Sequence, residues 1–191
     1  MKVVLLVSLL FSLSLCDETT GGWKKLSFNS NDAVIYRALQ TAEAYYKKIT
    51  GSTEEIIGLT VYSQVVNGVN YRICFVDPNN SAQSIFEYTL YKPLPTEEGN
   101  EINFSVSGTK TYEPSEGLLN FDDPLFTKIE VDLKYAFSKM TNTFKFINFI
   151  YPIKNDVTTF YIIRATTTEG EKNIIFAKDE ENDVYYPPVT L

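Results

Sequence analysis

"SQVVNGVNYRI", Ser63 to Ile73, decides how the rest of the chain is read. Asn67-Gly68 is the strongest short signal for a β-hairpin, and β-rich runs flank it on both sides: "EIIGLTVYSQVV" (55–66) and "VNYRICFVD" (69–77). Strand periodicity puts Tyr71, Ile73 and Phe75 on one face and Arg72, Cys74 and Val76 on the other. The expected tip is unusual. Val65, Val66 and a neutral Asn-Gly pair occupy a turn that on most surfaces would carry charge.

Upstream, "SNDAVIYRALQTAEAYYKKI" (30–49) has helical spacing, with Val34/Ile35, Ala38/Leu39, Ala42, Tyr45/Tyr46 and Ile49 recurring at three- and four-residue steps. Ser30 or Asn31 is the expected cap, Asp32 falls in the first turn, and Gly51 supplies a left-handed stop. Downstream, "SIFEYTLYK" (84–92), the turn "PLPTEEGN" (93–100) and "EINFSVSGTKTY" (101–112) complete an antiparallel meander. A long helix packed on one face of a four- to five-stranded antiparallel sheet is an α+β arrangement.

The order then recurs. "DDPLFTKIEVDLKYAFSKM" (122–140) has Asp123 as a cap, Pro124 at the first helical position, and Phe126, Ile129, Leu133, Phe137 and Met140 on one stripe. "FKFINFIYPI", "VTTFYIIRATT", "EKNIIFAK" and "DVYYPPVTL" follow as strand-like runs. Two such units in tandem are expected, joined through "EPSEGLLN" (113–120): residues 17–113 and 114–191. The acidic run at 178–183 lacks the glycine and spacing of a calcium loop and reads as a solvated turn.

Composition narrows the function. The net charge of −7 is evenly spread: from Asp17 on, each unit has 8 Lys/Arg and 12 Asp/Glu, or 8 − 12 = −4. No basic face is left for a nucleic acid. Residues 1–16, "MKVVLLVSLLFSLSLC", read as a secretory signal peptide with Ser14 and Cys16 at the cleavage site, implying secretion or a vesicle lumen. The apolar run is shorter than the ~20 residues of a membrane span. Once it is removed, Cys74 is the only cysteine and no intramolecular disulfide can form. The chain has no histidine, no glycine-rich phosphate loop and no CxxC pair. That argues against an enzyme, a metal site or a bound cofactor. Asn79 and Asn103 begin glycosylation sequons.

Together, "GGW" at 21–23, the long helix, "QVVNGVNY" at 64–71 and "YKPLPTEEGN" at 91–100 resemble the cystatins, inhibitors of papain-like cysteine proteases, and in form the disulfide-free stefin type. The Q-x-V-x-G pattern is met by Gln64, Val66 and Gly68, and Leu94-Pro95 fits the second loop. Asn67 stands where the family usually has a small residue. The resemblance covers residues 21 to about 112. It implies a three-part wedge: Gly21-Gly22, the tip Gln64-Val65-Val66-Asn67-Gly68, and Leu94-Pro95 together entering the protease cleft. A scaffold that keeps the fold as a non-inhibitory interaction module is the alternative. The second unit lacks the pattern; "YPIKNDVTTF" puts Ile153, Lys154, Asn155 and Asp156 at the equivalent tip, so it is not expected to inhibit in the same way. A monomer is expected, or a dimer made by exchanging the helix and first strand.

Overall fold

A computed structural model describes residues 21–27, 32–80, 82–95, 103–114, 117–138, 144–181 and 184–191. The expected signal peptide, the Ser30/Asn31 cap, Met140 and the end of the 93–100 turn lie outside them. The class is α+β with antiparallel sheets. Strands β1 (Lys24–Leu26), β2 (Ile57–Val66), β3 (Gly68–Val76), β4 (Ile85–Lys92) and β5 (Ser105–Tyr112) form one five-stranded sheet in the order β1-β2-β3-β4-β5. The second sheet has the order β10-β8-β7-β6, with β9 also paired to β8: β6 (Phe144–Lys154), β7 (Thr158–Thr167), β8 (Gly170–Asp179), β9 (Val184–Tyr185) and β10 (Val189–Thr190).

Helix α1 (Ala33–Thr50) starts one residue later than an Asn31 cap would place it. Asp32 is the cap itself, its Oδ1 accepting the amides of Val34 at 2.8 Å and Ile35 at 3.3 Å. Gly51 closes the helix at φ 77°, donating to the Lys47 carbonyl. Ile35, Ala38, Ala42 and Tyr46 bury one stripe against Val61, Tyr71, Ile73, Phe75, Phe86, Tyr88 and Leu90. The small Ala38 and Ala42 let the helix approach the sheet closely. Helix α2 (Pro124–Ser138) is capped by Asp123, which accepts the Leu125 amide at 2.8 Å, and it lays Phe126, Ile129, Leu133 and Phe137 on the second sheet.

The faces turned away from the helices are buried too. Leu59, Cys74, Val76 and Ile85 of the first sheet pack on Ile153, Phe160, Ile162, Ile175 and Ala177 of the second. The order of layers is therefore helix, sheet, sheet, helix, and the inner strands β3, β4 and β7 are covered on both sides, whereas β5 at the edge is largely exposed. This explains why those inner strands carry apolar residues on both faces.

Three local expectations are corrected. The hairpin register pairs Val66 with Gly68 and Val65 with Val69, so Asn67 alone forms the tip and Gly68 belongs to β3. Gly68 takes φ 120°, which gives the chain its reversal without a second loop residue. "DVYYPPVTL" is not one strand but two short ones, β9 and β10, interrupted at Pro187-Pro188, which have no N–H for a ladder. The acidic run at 178–183 begins inside β8 and is not wholly solvated. Asp179 is buried, with Lys25 Nζ of β1 at 3.7 Å.

Candidate functional site

The hairpin β2–β3 brings the expected strips together at one end of the first sheet. Gln64 is the hub. Its Nε2 donates to the Gly21 carbonyl at 2.6 Å, and its Oε1 accepts from Asn70 Nδ2 at 3.3 Å. One side chain thus ties the glycine segment to both strands of the hairpin. Gly21 and Gly22 are exposed. Val65 and Val66 remain 51% and 43% exposed, and Leu94 58%, unusually open for aliphatic residues. Leu94 reaches this end because β4 pairs with β3 as far as Val69↔Lys92, which places the exposed Leu94 and Pro95 just beyond the tip's own pairing.

The tip is stiffened by Tyr91. Its hydroxyl donates to the Asn67 carbonyl. Its ring lies against Gly68: a Cβ there would meet Tyr91 Cε2 at 2.7 Å and the Lys92 carbonyl oxygen at 2.6 Å. Gly68 is therefore required twice, for its φ and for the absence of a side chain under β4. Sequence reasoning misses Tyr91, because its signal is slight: a tyrosine three residues before the Leu94-Pro95 loop.

The N-terminal strip is held from behind by the second half of the chain. Trp23, half-buried, takes the Arg72 guanidinium over its ring at 4.2 Å. Arg72 Nη1 in turn donates to Asp156 Oδ1 at 2.7 Å, and its Nε lies 3.5 Å from Glu87 Oε1. Burial works against the Asp156 carboxylate, yet the Arg72 hydrogen bond and charge hold it below the usual carboxylate range. Two residues after Trp23, Lys25 sits 3.8 Å over the Tyr186 ring and near Asp179. Tyr62, the β2 partner of Lys25, shares its hydroxyl with Thr158 Oγ1 at 2.7 Å and Tyr186 at 3.0 Å.

The hairpin β6–β7 has a different fate. Ile153 and Asn155 are buried against the back of the first sheet, where Asn155 Nδ2 donates to Glu87 Oε2 at 3.1 Å. Glu87 Oε2 also accepts from Tyr112 at 3.1 Å. Cys74 lies fully buried in this contact, and burial, then the Glu87 charge, pushes its thiol up to about 12. It is a packed hydrophobe with no nucleophilic character.

No model of a known protein family matches the sequence, and no curated protein matches it.

Proposed function

We propose that the chain is a secreted, reversible inhibitor of papain-like cysteine proteases. In this reading it is a cystatin-like protein built as a tandem, with an inhibitory unit at 17–113 and a degenerate unit at 114–191. The observation that carries the reading is the convergence of three uncharged strips on one edge: Gly21-Gly22 bound by Gln64, the open Val65/Val66 tip, and exposed Leu94-Pro95. Such an edge suits a groove. Each valine that leaves water for a partner's cleft contributes about 1.5–3 kcal/mol. The tip is braced by Gln64 and Tyr91, so little entropy is lost on docking. No charged side chain at 64–68 would need to be desolvated. The mode is occlusion, with no catalysis by the chain itself.

The alternative, a non-inhibitory interaction module on the same scaffold, draws support from the second half, whose equivalent tip turns Ile153 and Asn155 into the protein. Titrating papain with the full chain and with a Q64A/V65A/V66A variant separates the two. Inhibition at equimolar concentrations, weakened at least 100-fold in the variant, supports the inhibitor. Absence of inhibition by the unsubstituted chain favours the module.

A further inference from the structure

We infer that Asn79 carries an N-linked glycan, attached as the chain passes through the secretory pathway. Asn79-Asn80-Ser81 is an acceptor triplet by sequence. The step is a group transfer from a lipid diphosphate oligosaccharide. Asn79 Nδ2 loses a proton and bonds to C1 of the first N-acetylglucosamine, while the bond from C1 to the diphosphate oxygen breaks and the lipid diphosphate leaves.

The fold leaves this asparagine free to carry such a load. Asp77-Pro78-Asn79-Asn80 is a β-turn closed by the Asn80 amide, which donates to the Asp77 carbonyl at 3.0 Å. The shape of the turn is fixed by its neighbours. Asp77 Oδ1 accepts the Asn79 amide at 2.9 Å, and Asn80 Oδ1 accepts the Ala82 amide at 2.9 Å. Asn79 itself is exposed, and among the described residues no hydrogen bond engages its side-chain amide. Glycosylation at Nδ2 therefore breaks nothing.

The surroundings suit a sugar. An open groove of about 390 Å³ runs beside the turn, walled by Thr50, Ser52, Thr53 and Asp77. It offers the innermost sugar hydroxyl and carboxylate partners in place of an apolar face. The turn also lies at the end of the first sheet away from the hairpin tip. Strand β3 runs from Gly68 beside the tip to Val76 before the turn, about 26 Å of extended chain. A bulky glycan here and a partner at the tip do not compete for space.

The second triplet, Asn103-Phe104-Ser105, is built differently. Its middle residue packs on the core, with the Phe104 ring 5.5 Å from that of Tyr71. Ser105 pairs with Tyr91, which puts this triplet at the tip end of the sheet, close to Leu94-Pro95. The exposed, unbonded asparagine at a turn corner is Asn79.

The inference rests on the secretion reading of residues 1–16 and is independent of the inhibitor reading. Two forms are expressed in cultured insect cells: the complete chain, and residues 17–191 behind an unrelated, proven secretion leader. Peptide-N-glycosidase digestion in heavy-oxygen water converts a glycosylated asparagine to a mass-labelled aspartate. Label at position 79 is expected in most molecules of both forms. N79Q should migrate faster on a denaturing gel and lose that label while keeping its Tm, since the Asn79 side chain holds nothing in place. N103Q should keep the label at 79. Absence of label at 79 in both forms overturns the acceptor assignment. Label in the leader-fused form alone, with the complete chain retained unglycosylated in the cell, overturns the proposal through its premise, the secretion reading.

Discussion

Arg72 stacks its guanidinium on Trp23, 4.2 Å from the ring centroid, while Asp156 of the other half grips the same guanidinium from the opposite hairpin. The segment that carries Gly21-Gly22 is thus positioned by a residue more than a hundred places further along the chain. Replacing Asp156 with Ala should loosen Trp23 while leaving most of the fold intact, because Arg72 retains Glu87. Trp23 is the only tryptophan, so the change is read directly as a red shift of its emission. A cation–π contact of this kind is worth about 0.5–2 kcal/mol. Inhibition should weaken by roughly three- to thirtyfold, the equivalent of that energy. The same loosening is expected in acid. Because the Asp156 pKa is lowered on folding, its contribution is present above the unfolded value of 3.8 and is lost as pH falls through the lower folded value. An emission spectrum unchanged both in D156A and below pH 3 would refute the linkage.

Gly68→Ala should damage the tip more than its size suggests. The new Cβ would fall 2.6 Å from a backbone oxygen of β4, which cannot swing aside as a side chain could, and φ 120° is strained for alanine. A cost of about 1–3 kcal/mol is expected from the backbone strain alone. Thermal melting should show a Tm lower by several degrees, and papain inhibition should fall with it. At Gly21 a Cβ would have nothing within 4 Å. Gly21→Ala should therefore lower the Tm less than Gly68→Ala, since only its positive φ and no neighbouring atom opposes the new side chain.

The interior should hold until high pH. Burial raises the phenols of Tyr46 and Tyr88 to about 12, above the ordinary 10.0. A raised folded pKa means the stabilising form is fully present below the unfolded value. Stability is then lost as pH climbs from about 10 through 12. Circular dichroism should report a flat plateau to pH 9 and cooperative loss within that window. Cys74 offers a parallel check. Its thiol should resist Ellman's reagent at pH 8 for hours and react within minutes once denaturant is added. Rapid labelling of the native protein would contradict the buried inter-sheet position.

Residues 17–113 alone should behave poorly. Without the second sheet, Leu59, Cys74, Val76 and Ile85 face water, and Glu87 loses Asn155. An exposed apolar face of this kind promotes association. The shortened chain should bind the dye ANS strongly and elute as aggregates in size-exclusion chromatography, whereas the full chain should do neither. A monomeric, dye-negative 17–113 would show that the shared inter-sheet core contributes little.

Much of this architecture is legible in the sequence, because local periodicity is strong where elements are long. The three- and four-residue steps from Ile35 to Tyr46 and from Phe126 to Phe137 mark both helices, and Asn67-Gly68 marks the central hairpin. Contacts between distant segments leave no such trace. Arg72 and Glu87 alternate with apolar residues, and nothing in that local pattern shows that a second sheet arrives from elsewhere in the chain to bury both. Lys25, Asp179 and Tyr186 meet only in three dimensions. Strand β1, at three residues, is too short to produce a period of its own.

The burial of Asn155 and Ile153 fixes the valence of the molecule. Two hairpins of similar make are present, but one of them is spent as a cornerstone between the sheets, so of these two only the β2–β3 apex is left for outside contact. Under the proposed inhibitor reading, each chain is expected to take one protease molecule through that apex, in discrete pairs however concentrated the mixture becomes.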